Sequence, residues 1–483
     1  QPGRGGDGFG RQEVYHQWDV SKLSLVPEDV VGYYAEVFDN DNVSGPKSSR
    51  SQAFLLRLPS LEEVLADVNN SSDKSLEEMQ KMSEEMQSLK ESLEDLNREV
   101  KKQRDKVDWQ QQKKAERLAQ RYEALRQKAE KTAQSLEEMV KKMDENNLLS
   151  ENTLEKYKEL QKLIEELNSE ELKEALKKLQ ESMKKLTPEE MREAMNKLTM
   201  SEEQFRKNLE RTIELLKRIH IEQKIDELIK RAGDLKERQE ALSQKTKDDA
   251  SRQDAEQLSA EQSDLSKQAE SLEKETSDLG KKMEEFSKEM PLDEMNKASQ
   301  SLQQKDVPQK MLNSSSKMQA SQMQAARQDQ KQASQDLSEF SEQMQGVQDA
   351  LREKQMQQVV NEMRRQIQDL LDLSKNQEAI KDETSGMEPN SQRFREAAQR
   401  QQETREGLAS VANAMTELSK KTFAIGPDLG REMGNAMKQM SEAMDQMEQR
   451  NPGESSRQQR EAMGSMNRAA MMMQGAQGQM GMA

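Results

Sequence analysis

Apolar residues recur at alternating spacings of four and three along most of this chain, inside long stretches of Glu, Lys and Gln. One clear run leads from Met82 through Leu89 and Leu93 to Val100, and a second covers residues 118–143. This spacing places the apolar side chains on one seam of an α-helix, which is the pattern of helices that pack along their length. The pattern predicts an architecture and does not indicate a reaction.

Capping signals divide this helical part into segments. Ser60 with Glu63 forms a capping box, residues 201–204 form another, and residues 187–190 place a Pro at a first helical position. Asn146-Asn147 is the expected break after a first long helix. Chain reversal at the breaks would give antiparallel hairpins or a bundle in place of one extended rod, and the residues leave both arrangements open.

The region before the helices has the character of β-strands. Residues 14–18, 31–38 and 53–58 are short runs rich in β-branched and aromatic side chains. Two or three strands cannot close a sandwich by themselves, so these runs resemble the end of an immunoglobulin-like (Ig-like) domain.

A dense cluster of turn-forming residues, 39–46, separates two of these runs. Its alternating side-chain oxygens partly match a calcium-binding loop, but Gly45 stands one position late and Arg50 occupies the place of the bidentate Glu. A turn between strands is the preferred interpretation, and a Ca²⁺ site is the alternative.

The sequence therefore predicts a mostly α fold, a long coiled-coil or helical-hairpin array preceded by a short β segment. The predicted segments are a flexible Gly-rich linker (1–12), the last strands of an incomplete Ig-like domain (13–58), a long coiled-coil helix (60–146), a helical bundle (152–289), a weakly helical Gln-, Ser- and Met-rich region (290–341), further helices (342–422), a Met-rich heptad helix (427–450) and a low-complexity Met-, Gly- and Gln-rich tail (451–483).

Composition narrows the class of protein. Hydrophobic residues make up 32% of the 483 residues, below the roughly 45–50% usual in globular domains. The net charge is -16, with 91 acidic and 75 basic residues interleaved, which favours ion pairs along helices and disfavours binding to nucleic acid. Cys is absent, so disulfides, thiolate metal sites and Cys nucleophiles are excluded.

Two further signals concern the setting of the chain. No run of about 18 apolar residues occurs, so no membrane span is expected in this sequence. The first residue is Gln1 rather than Met, from which we expect a processed or truncated chain.

Few residues are candidates for chemistry. The two histidines, His16 and His220, cannot form a multi-His metal site, and His220 is expected to be a half-buried helix residue. Met433, Met440 and Met447 belong to a 4-3 series of methionines that suits either a helix seam or, as the alternative, soft thioether ligands for Cu(I). Since no catalytic motif is present, we expect no enzyme, no cofactor and no catalytic or metal-binding residues.

Two seam glutamines stand out. Gln239 and Gln377 each lie in a Leu-x3-Gln-x2-Leu/Ile pattern, and Gln262 lies in a third copy. A polar residue on a seam costs stability but can fix register; simple Gln-rich low complexity is an equal alternative. The residues expected to carry packing and association are Leu89, Leu93, Leu96, Leu125, Leu136, Leu216, Leu228, Gln239, Gln377, Met437, Met440 and Met444.

Three blocks of the chain carry a resemblance. Residues 33–41 with 44–47 and 58–61, the helix segment from Phe205 to Gln239-Glu240, and the Met- and Gln-rich repeats after Gly430 resemble bacterial DUF4175-type proteins, an uncharacterised family. The family has membrane helices ahead of an Ig-like region and a coiled coil. The resemblance implies a membrane-associated, envelope or periplasm-facing protein whose N-terminal anchor is missing here, and it supplies no catalytic residues.

Together these observations lead to one expected function. We expect a non-enzymatic structural or scaffolding protein of the bacterial cell envelope, which binds itself or protein partners through its helix seams and does not bind nucleic acid. The alternative is a protein that binds copper or another ligand through its Met-rich part.

Overall fold

The computed structural model describes residues 15–23, 29–39, 45–102, 108–167, 169–185, 188–247, 251–388 and 391–480. The chain divides into two compact units, residues 1–69 and 70–483, which we describe separately. The mostly α fold class predicted from the sequence is confirmed, with a short β segment ahead of the helices.

In its described residues, the first unit contains a short 3-10 helix, Val20–Leu23, and four strands. The strands are β1 (Val30–Tyr33), β2 (Glu36–Phe38), β3 (Ser48–Arg50) and β4 (Phe54–Arg57). β1 pairs with β4 and β2 pairs with β3, both antiparallel, so the unit contains two separate two-stranded sheets. The predicted strand at residues 14–18 is not a strand over residues 15–18, and Val14 lies outside the described residues.

The turn predicted at residues 39–46 connects β2 to β3. Asp39 closes it, because the backbone N–H of Lys47 donates to Asp39 Oδ1 at 2.8 Å and the Asp39 N–H donates to the Lys47 carbonyl at 3.0 Å. Gly45 has φ of 87°, a left-handed conformation that a glycine adopts without steric cost. Residues 40–44, which would supply most ligands of a Ca²⁺ loop, lie outside the described residues.

The helices begin at the end of the first unit and fill the second. Their bounds are α1 (Leu61–Lys102), α2 (Trp109–Glu145), α3 (Glu151–Leu167), α4 (Glu170–Lys185), α5 (Pro188–Lys245), α6 (Arg252–Glu284), α7 (Leu292–Lys305), α8 (Val307–Gln319), α9 (Met323–Thr384), α10 (Gln392–Ser419), α11 (Pro427–Glu448) and α12 (Pro452–Met480).

The single long helix predicted over residues 60–146 is wrong, since α1 and α2 form an antiparallel pair. Lys114 Nζ lies 2.6 Å from Glu99 Oε1, and Lys128 Nζ lies 2.7 Å from Glu85 Oε2. In one continuous helix, residues 99 and 114 would be separated by about 22 Å along the axis. Asp108 starts α2 with a capping box, and residues 103–107 lie outside the described residues.

Three four-helix bundles follow from such pairings, and two long helices are shared between them. Bundle 1 comprises α1, α2, α3 with α4, and the first half of α5. Bundle 2 comprises the second half of α5, then α6, α7 with α8, and the first half of α9. Bundle 3 comprises the second half of α9 with α10, α11 and α12. Because α9 runs antiparallel to α5, bundles 1 and 3 lie at the same end of bundle 2.

The region predicted to be weakly helical, residues 290–341, is largely helical instead. Its small polar side chains are buried against neighbouring helices: the Ser314 hydroxyl donates to the Ala326 carbonyl at 3.1 Å, and Ser259 and Ser315 hydrogen-bond through their hydroxyls at 2.9 Å. Pro308 lies in the first turn of α8, where its missing N–H costs no helical hydrogen bond. Low intrinsic propensity is overcome by packing in this region.

Two other predictions are corrected. Residues 201–204 do not start a new helix, because Leu198, Phe205 and Leu209 continue the buried seam and α5 runs through them. The tail at residues 451–483 is described as helix α12 up to Met480. Its Ala and Ser residues face the core, where small side chains let α12 pack closely against α9 and α11. None of the described helices combines the length and apolar character needed to cross a bilayer.

Candidate functional site

The middle of α5 is buried on nearly all its faces, unlike an ordinary amphipathic helix. Between residues 211 and 231 the buried side chains include Arg218, His220, Glu222 and Asp226. Charges are rarely buried without partners, because desolvation is costly. We name this segment, with the loops that contact it, the junction, since bundles 1, 2 and 3 meet there.

His220 is fully inside the junction rather than half-buried, with 5% of its surface exposed. Its Nδ1 hydrogen-bonds Ser72 Oγ on α1 at 2.9 Å, and its Nε2 lies 3.6 Å from Asp73 Oδ1. Burial lowers the pKa of His220 to about 4; the nearby charge of Lys282 lowers it further, whereas that of Asp73 opposes the shift. The imidazole is therefore neutral at pH 7.

Bundle 1 closes against α5 through a second group of contacts. The Tyr157 hydroxyl donates to Gln223 Oε1, and Lys156 Nζ lies 2.7 Å from Glu222 Oε1. Asp226 accepts from the Ser150 backbone N–H at 2.9 Å and from the Gln348 side chain on α9. Asp226 thus joins the α2–α3 loop to bundle 2.

Arg218 faces the turn between α6 and α7. Its Nε lies 2.8 Å from Glu289 Oε2, and its guanidinium carbon lies 4.7 Å from the centroid of the Phe286 ring. Lys421, from the loop after α10, lies 3.7 Å from the same Glu289 and 3.0 Å from Glu362 on α9. Glu289 therefore neutralises cations from two bundles.

Arg211 holds the loop between α10 and α11 against α5. Its Nε donates to the Ser419 carbonyl at 3.0 Å, and its Nη2 donates to the Ile425 carbonyl at 2.7 Å. Lys420 Nζ in the same loop lies 3.5 Å from Glu210 Oε2. These contacts attach bundle 3 directly to the helix that bundles 1 and 2 share.

A cleft opens beside Arg211, between α1, α5 and the end of α10. Glu84, Glu214, Lys217, Glu417 and Lys420 contribute to its walls. Cations and carboxylates alternate there: Lys217 pairs with Glu214 and Lys420 with Glu417, each at 2.8 Å. The arrangement suits structural pairing, and it does not present a pair of carboxylates with separated roles for acid and base catalysis.

The apolar seam residues predicted from the sequence lie inside the bundles. The buried ones are Leu89, Leu93 and Leu96 on α1, Leu125 and Leu136 on α2, Leu216 and Leu228 on α5, and Met440 on α11. Met437 and Met444 on α11 are partly buried. The structure thus brings these residues into three separate cores and gathers none of them at the junction except Leu216 and Leu228.

The two predicted register glutamines are fully buried, and each belongs to a three-glutamine layer. Gln239 and Gln262 exchange side-chain hydrogen bonds of 2.9 and 2.7 Å, and Gln330 donates to Gln262 Oε1 at 2.9 Å. In bundle 3, Gln377 and Gln401 exchange bonds of 2.7 and 2.8 Å, and Gln459 donates to Gln401 Oε1 at 2.8 Å.

Sequence reasoning missed three members of these layers, Gln330, Gln401 and Gln459. The pattern that revealed Gln239 and Gln377 required Leu four residues before the Gln and Leu or Ile three residues after it, whereas Ala, Ser or Thr occupies these positions around the missed residues. A search for Gln with any small or apolar residue four before and three after it would have found Gln330. The charged residues of the junction were missed because apolar and charged residues are mixed almost continuously there. No separate seam can be recognised in that part of the sequence.

Within the described residues, no group of three or more His, Cys, Asp or Glu side chains is arranged to hold a metal ion. The methionines of the predicted copper site mainly pack in the core: Met433, Met440 and Met447 are buried between helices of bundle 3. Compared with known proteins, the chain matches no protein-family model, no curated protein and no solved structure.

Proposed function

We propose that this chain is a non-enzymatic structural scaffold whose three bundles present their outer surfaces to protein partners. The observation that supports the proposal most is the junction, where Arg211, Arg218 and Asp226 each join elements of different bundles. Buried, mutually neutralised charges of this kind fix one arrangement of packed elements. A fixed arrangement of bundles is what a scaffold requires.

The proposal differs in one respect from the association through helix seams that the sequence predicts. Leu93, Leu125 and Leu136 are buried within the chain, so a partner cannot reach them while the bundles are folded. Partner binding is therefore assigned to exposed polar faces. Sedimentation velocity over a wide concentration range tests this point. Self-association through the seams would require the bundles to open, so the circular dichroism signal would change with concentration.

The scaffold proposal predicts that function depends on intact bundles. In cells lacking the gene, a copy with Leu93→Asp should fail to restore the wild-type state, because a charge would replace a core side chain that is 1% exposed. Met200→Asp is the matched control, since Met200 is 75% exposed. Full complementation by a Leu93→Asp protein whose circular dichroism signal has lost the helicity of bundle 1 would contradict the proposal.

The envelope setting, the membrane association and the Ig-like character of the β segment are part of the same proposal. They rest on the resemblance to DUF4175-type proteins. Cell fractionation with protease accessibility decides the location; recovery only in the cytosolic fraction would overturn it.

Copper binding by the Met-rich helices is the second candidate. It is favoured by Met437, Met444 and Met463, which are partly buried, and by Met471 and Met472, which are exposed. Titration of the full chain with Cu(I) under reducing conditions tests it. Saturable binding that is lost in a Met437→Leu, Met444→Leu variant would support the site, and the absence of saturation would remove it.

A further inference from the structure

The three bundles are copies of one pattern of buried positions. The same difference in residue number relates Gln330, Ala333 and Leu337 of α9 to Gln459, Ala462 and Met466 of α12. A constant difference likewise relates α5 to α9, where Gln239, Leu242 and Thr246 correspond to Gln377, Ile380 and Thr384. The glutamine layers of bundles 2 and 3 therefore occupy equivalent places.

Bundle 1 follows the same pattern but carries different residues in this layer. On α2, the positions corresponding to Leu258, Gln262 and Leu265 of α6 are Leu118, Tyr122 and Leu125. On α5, the positions corresponding to Gln330 and Leu337 of α9 are Glu202 and Leu209. Tyr122 and Glu202 thus replace the two glutamines that hydrogen-bond to each other in bundle 2.

The pair Tyr122 and Glu202 lacks the hydrogen bond that Gln330 donates to Gln262 in bundle 2, although Gln330 Oε1 is itself buried without a partner among the described residues. Tyr122 is 1% exposed and Glu202 is 2% exposed. Among the described residues, neither the Tyr122 hydroxyl nor Glu202 Oε1 has a hydrogen-bond partner. Arg206 Nε lies 3.8 Å from Glu202 Oε1, which is too far for a hydrogen bond. Such orphaned groups cost stability in a protein interior.

We propose that Glu202 is a proton-binding site, and that its protonation completes the polar layer of bundle 1. An ionised carboxylate can only accept hydrogen bonds, whereas a protonated carboxyl also donates one. A protonated Glu has nearly the shape of Gln, so it can serve the layer as Gln330 serves bundle 2. The proton comes from solvent, and no covalent bond to another residue is made.

The charged groups around Glu202 come from two helices, and a third helix contributes Tyr122. Lys90 and Glu94 on α1 and Glu203 and Arg206 on α5 act on its carboxyl, and Tyr122 faces it from α2. From α4, the Glu171 backbone carbonyl accepts from the Oγ of Ser201, the residue next to Glu202, at 3.5 Å. Burial raises the pKa of Glu202, and the positive charges of Arg206 and Lys90 oppose that shift.

The sign of the pH effect follows. A carboxyl whose pKa is raised by folding binds more protons in the folded state than in the unfolded state, so it favours folding at low pH. This contribution to stability falls as the pH rises from the pKa of the unfolded state through the pKa of the folded state. Glu202 by itself therefore makes bundle 1 open more readily at pH 8 than at pH 5, whereas His220 acts in the opposite direction. Each unit by which folding raises the pKa corresponds to about a tenfold change in the opening equilibrium.

The test compares the full chain with Glu202→Gln, which installs the residue found in bundles 2 and 3. Hydrogen exchange, corrected for intrinsic rates, is followed at pH 5 and pH 8 in peptides covering 115–129 and 198–209. His220 lies in the same bundle, and its titration changes stability with pH in the opposite direction. The measured quantity is therefore the difference in protection between the parent and Glu202→Gln. We expect Glu202→Gln to raise protection at pH 8 relative to the parent, and to raise it less at pH 5, because burial raises the pKa of Glu202.

Peptides 258–269 and 326–337 of bundle 2 provide the internal control and should not respond. Equal pH dependence in parent and variant would overturn the proposal. A second measurement does not depend on the variant's stability: infrared difference spectra of the parent between pH 5 and pH 8 should show the C=O stretch of a buried protonated carboxyl in slow exchange with solvent. A band that is missing at every pH at which the chain is folded, or that persists in Glu202→Gln, would show that Glu202 is not the proton site.

Discussion

The side-chain amides of Gln377 and Gln401 exchange two hydrogen bonds across α9 and α10, of 2.7 and 2.8 Å, with both residues fully buried. Gln401 also accepts from Gln459, so it is the central member of the layer. A buried amide pair satisfies its own polar groups only in one helix register. The layer therefore specifies how the helices of bundle 3 align.

Removing the central amide should destabilise bundle 3. Gln401→Ala leaves the amides of Gln377 and Gln459 buried without this partner, which costs about 1–3 kcal/mol. Gln399→Ala on the same helix is the control, because Gln399 is exposed and its replacement should change stability by less than about 0.5 kcal/mol. Hydrogen exchange of α10 and α12 measures both; equal protection in the two variants would show that the layer contributes nothing.

Loss of the Arg211 guanidinium should release the loop after α10. Arg211→Ala removes hydrogen bonds to the Ser419 and Ile425 carbonyls, each of which is worth about 1.5–3 kcal/mol when the donor is charged. Exchange of amides in residues 416–425 should accelerate while bundle 2 stays protected. Lys207→Ala, which breaks only an exposed pair with Glu203 on the same helix, should have no such effect. Unchanged exchange in the Arg211 variant would contradict the attachment.

Acid should destabilise the junction through His220. Burial lowers the pKa of His220 to about 4, whereas an unfolded His has a pKa near 6.5. The folded state therefore binds fewer protons, and the stability due to the neutral imidazole is complete above about pH 6.5 and is lost as pH falls towards 4.

Titration of the two imidazoles by NMR checks this prediction. His16 serves as the comparison because it is exposed. The His220 resonances should remain those of the neutral ring down to about pH 5, with its expected midpoint at about 4. A midpoint for His220 that coincides with that of His16 would contradict its burial.

Two helical glycines should respond oppositely to alanine. A Cβ added at Gly407 would meet Leu373 Cδ2 at 2.7 Å, whereas one at Gly346 meets nothing within 4 Å. Gly346→Ala should stabilise α9 by about 1 kcal/mol through helix propensity. Gly407→Ala should lose that gain, because Leu373 must move at the close contact between α9 and α10. Thermal unfolding compares the two, and an equal rise in Tm would show that α9 and α10 are farther apart.

The helices themselves could be predicted from sequence because their signals are local. The 4-3 spacing of Leu89 and Leu93, and the capping box of Ser60 with Glu63, depend only on neighbouring residues. The reversal between α1 and α2 was not predicted, because one seam pattern suits both a single long helix and a hairpin. Ser201 was misread because a capping sequence in a helix interior looks the same as one at a helix start.

The candidate site could not be predicted in the same way. Arg211 and Ile425 are far apart in the chain, and nothing near either residue indicates the other. The packing of residues 290–341 depends on Ser259, Ser314 and Ser315 finding partners on other helices, which local propensity does not show. Charges such as Asp226 look like ordinary helix-surface residues until the elements around them are placed.

The central claim is that the apolar seams close within one chain, and a designed disulfide tests it most directly. The hydroxyl oxygens of Ser259 on α6 and Ser315 on α8 are 2.9 Å apart, and the chain contains no other cysteine to interfere. Replacing both by Cys changes one atom in each side chain. Ser266→Cys with Ser315→Cys is the control, because residue 266 lies about 10 Å further along α6.

Mild oxidation is followed by non-reducing electrophoresis and by peptide mapping of the product. The account predicts that the Ser259→Cys, Ser315→Cys protein forms a disulfide within one 55.5 kDa chain, and that the control pair remains reduced under the same conditions. Disulfide-linked dimers of the first variant, or thiols that stay free in a folded chain, would contradict the claim.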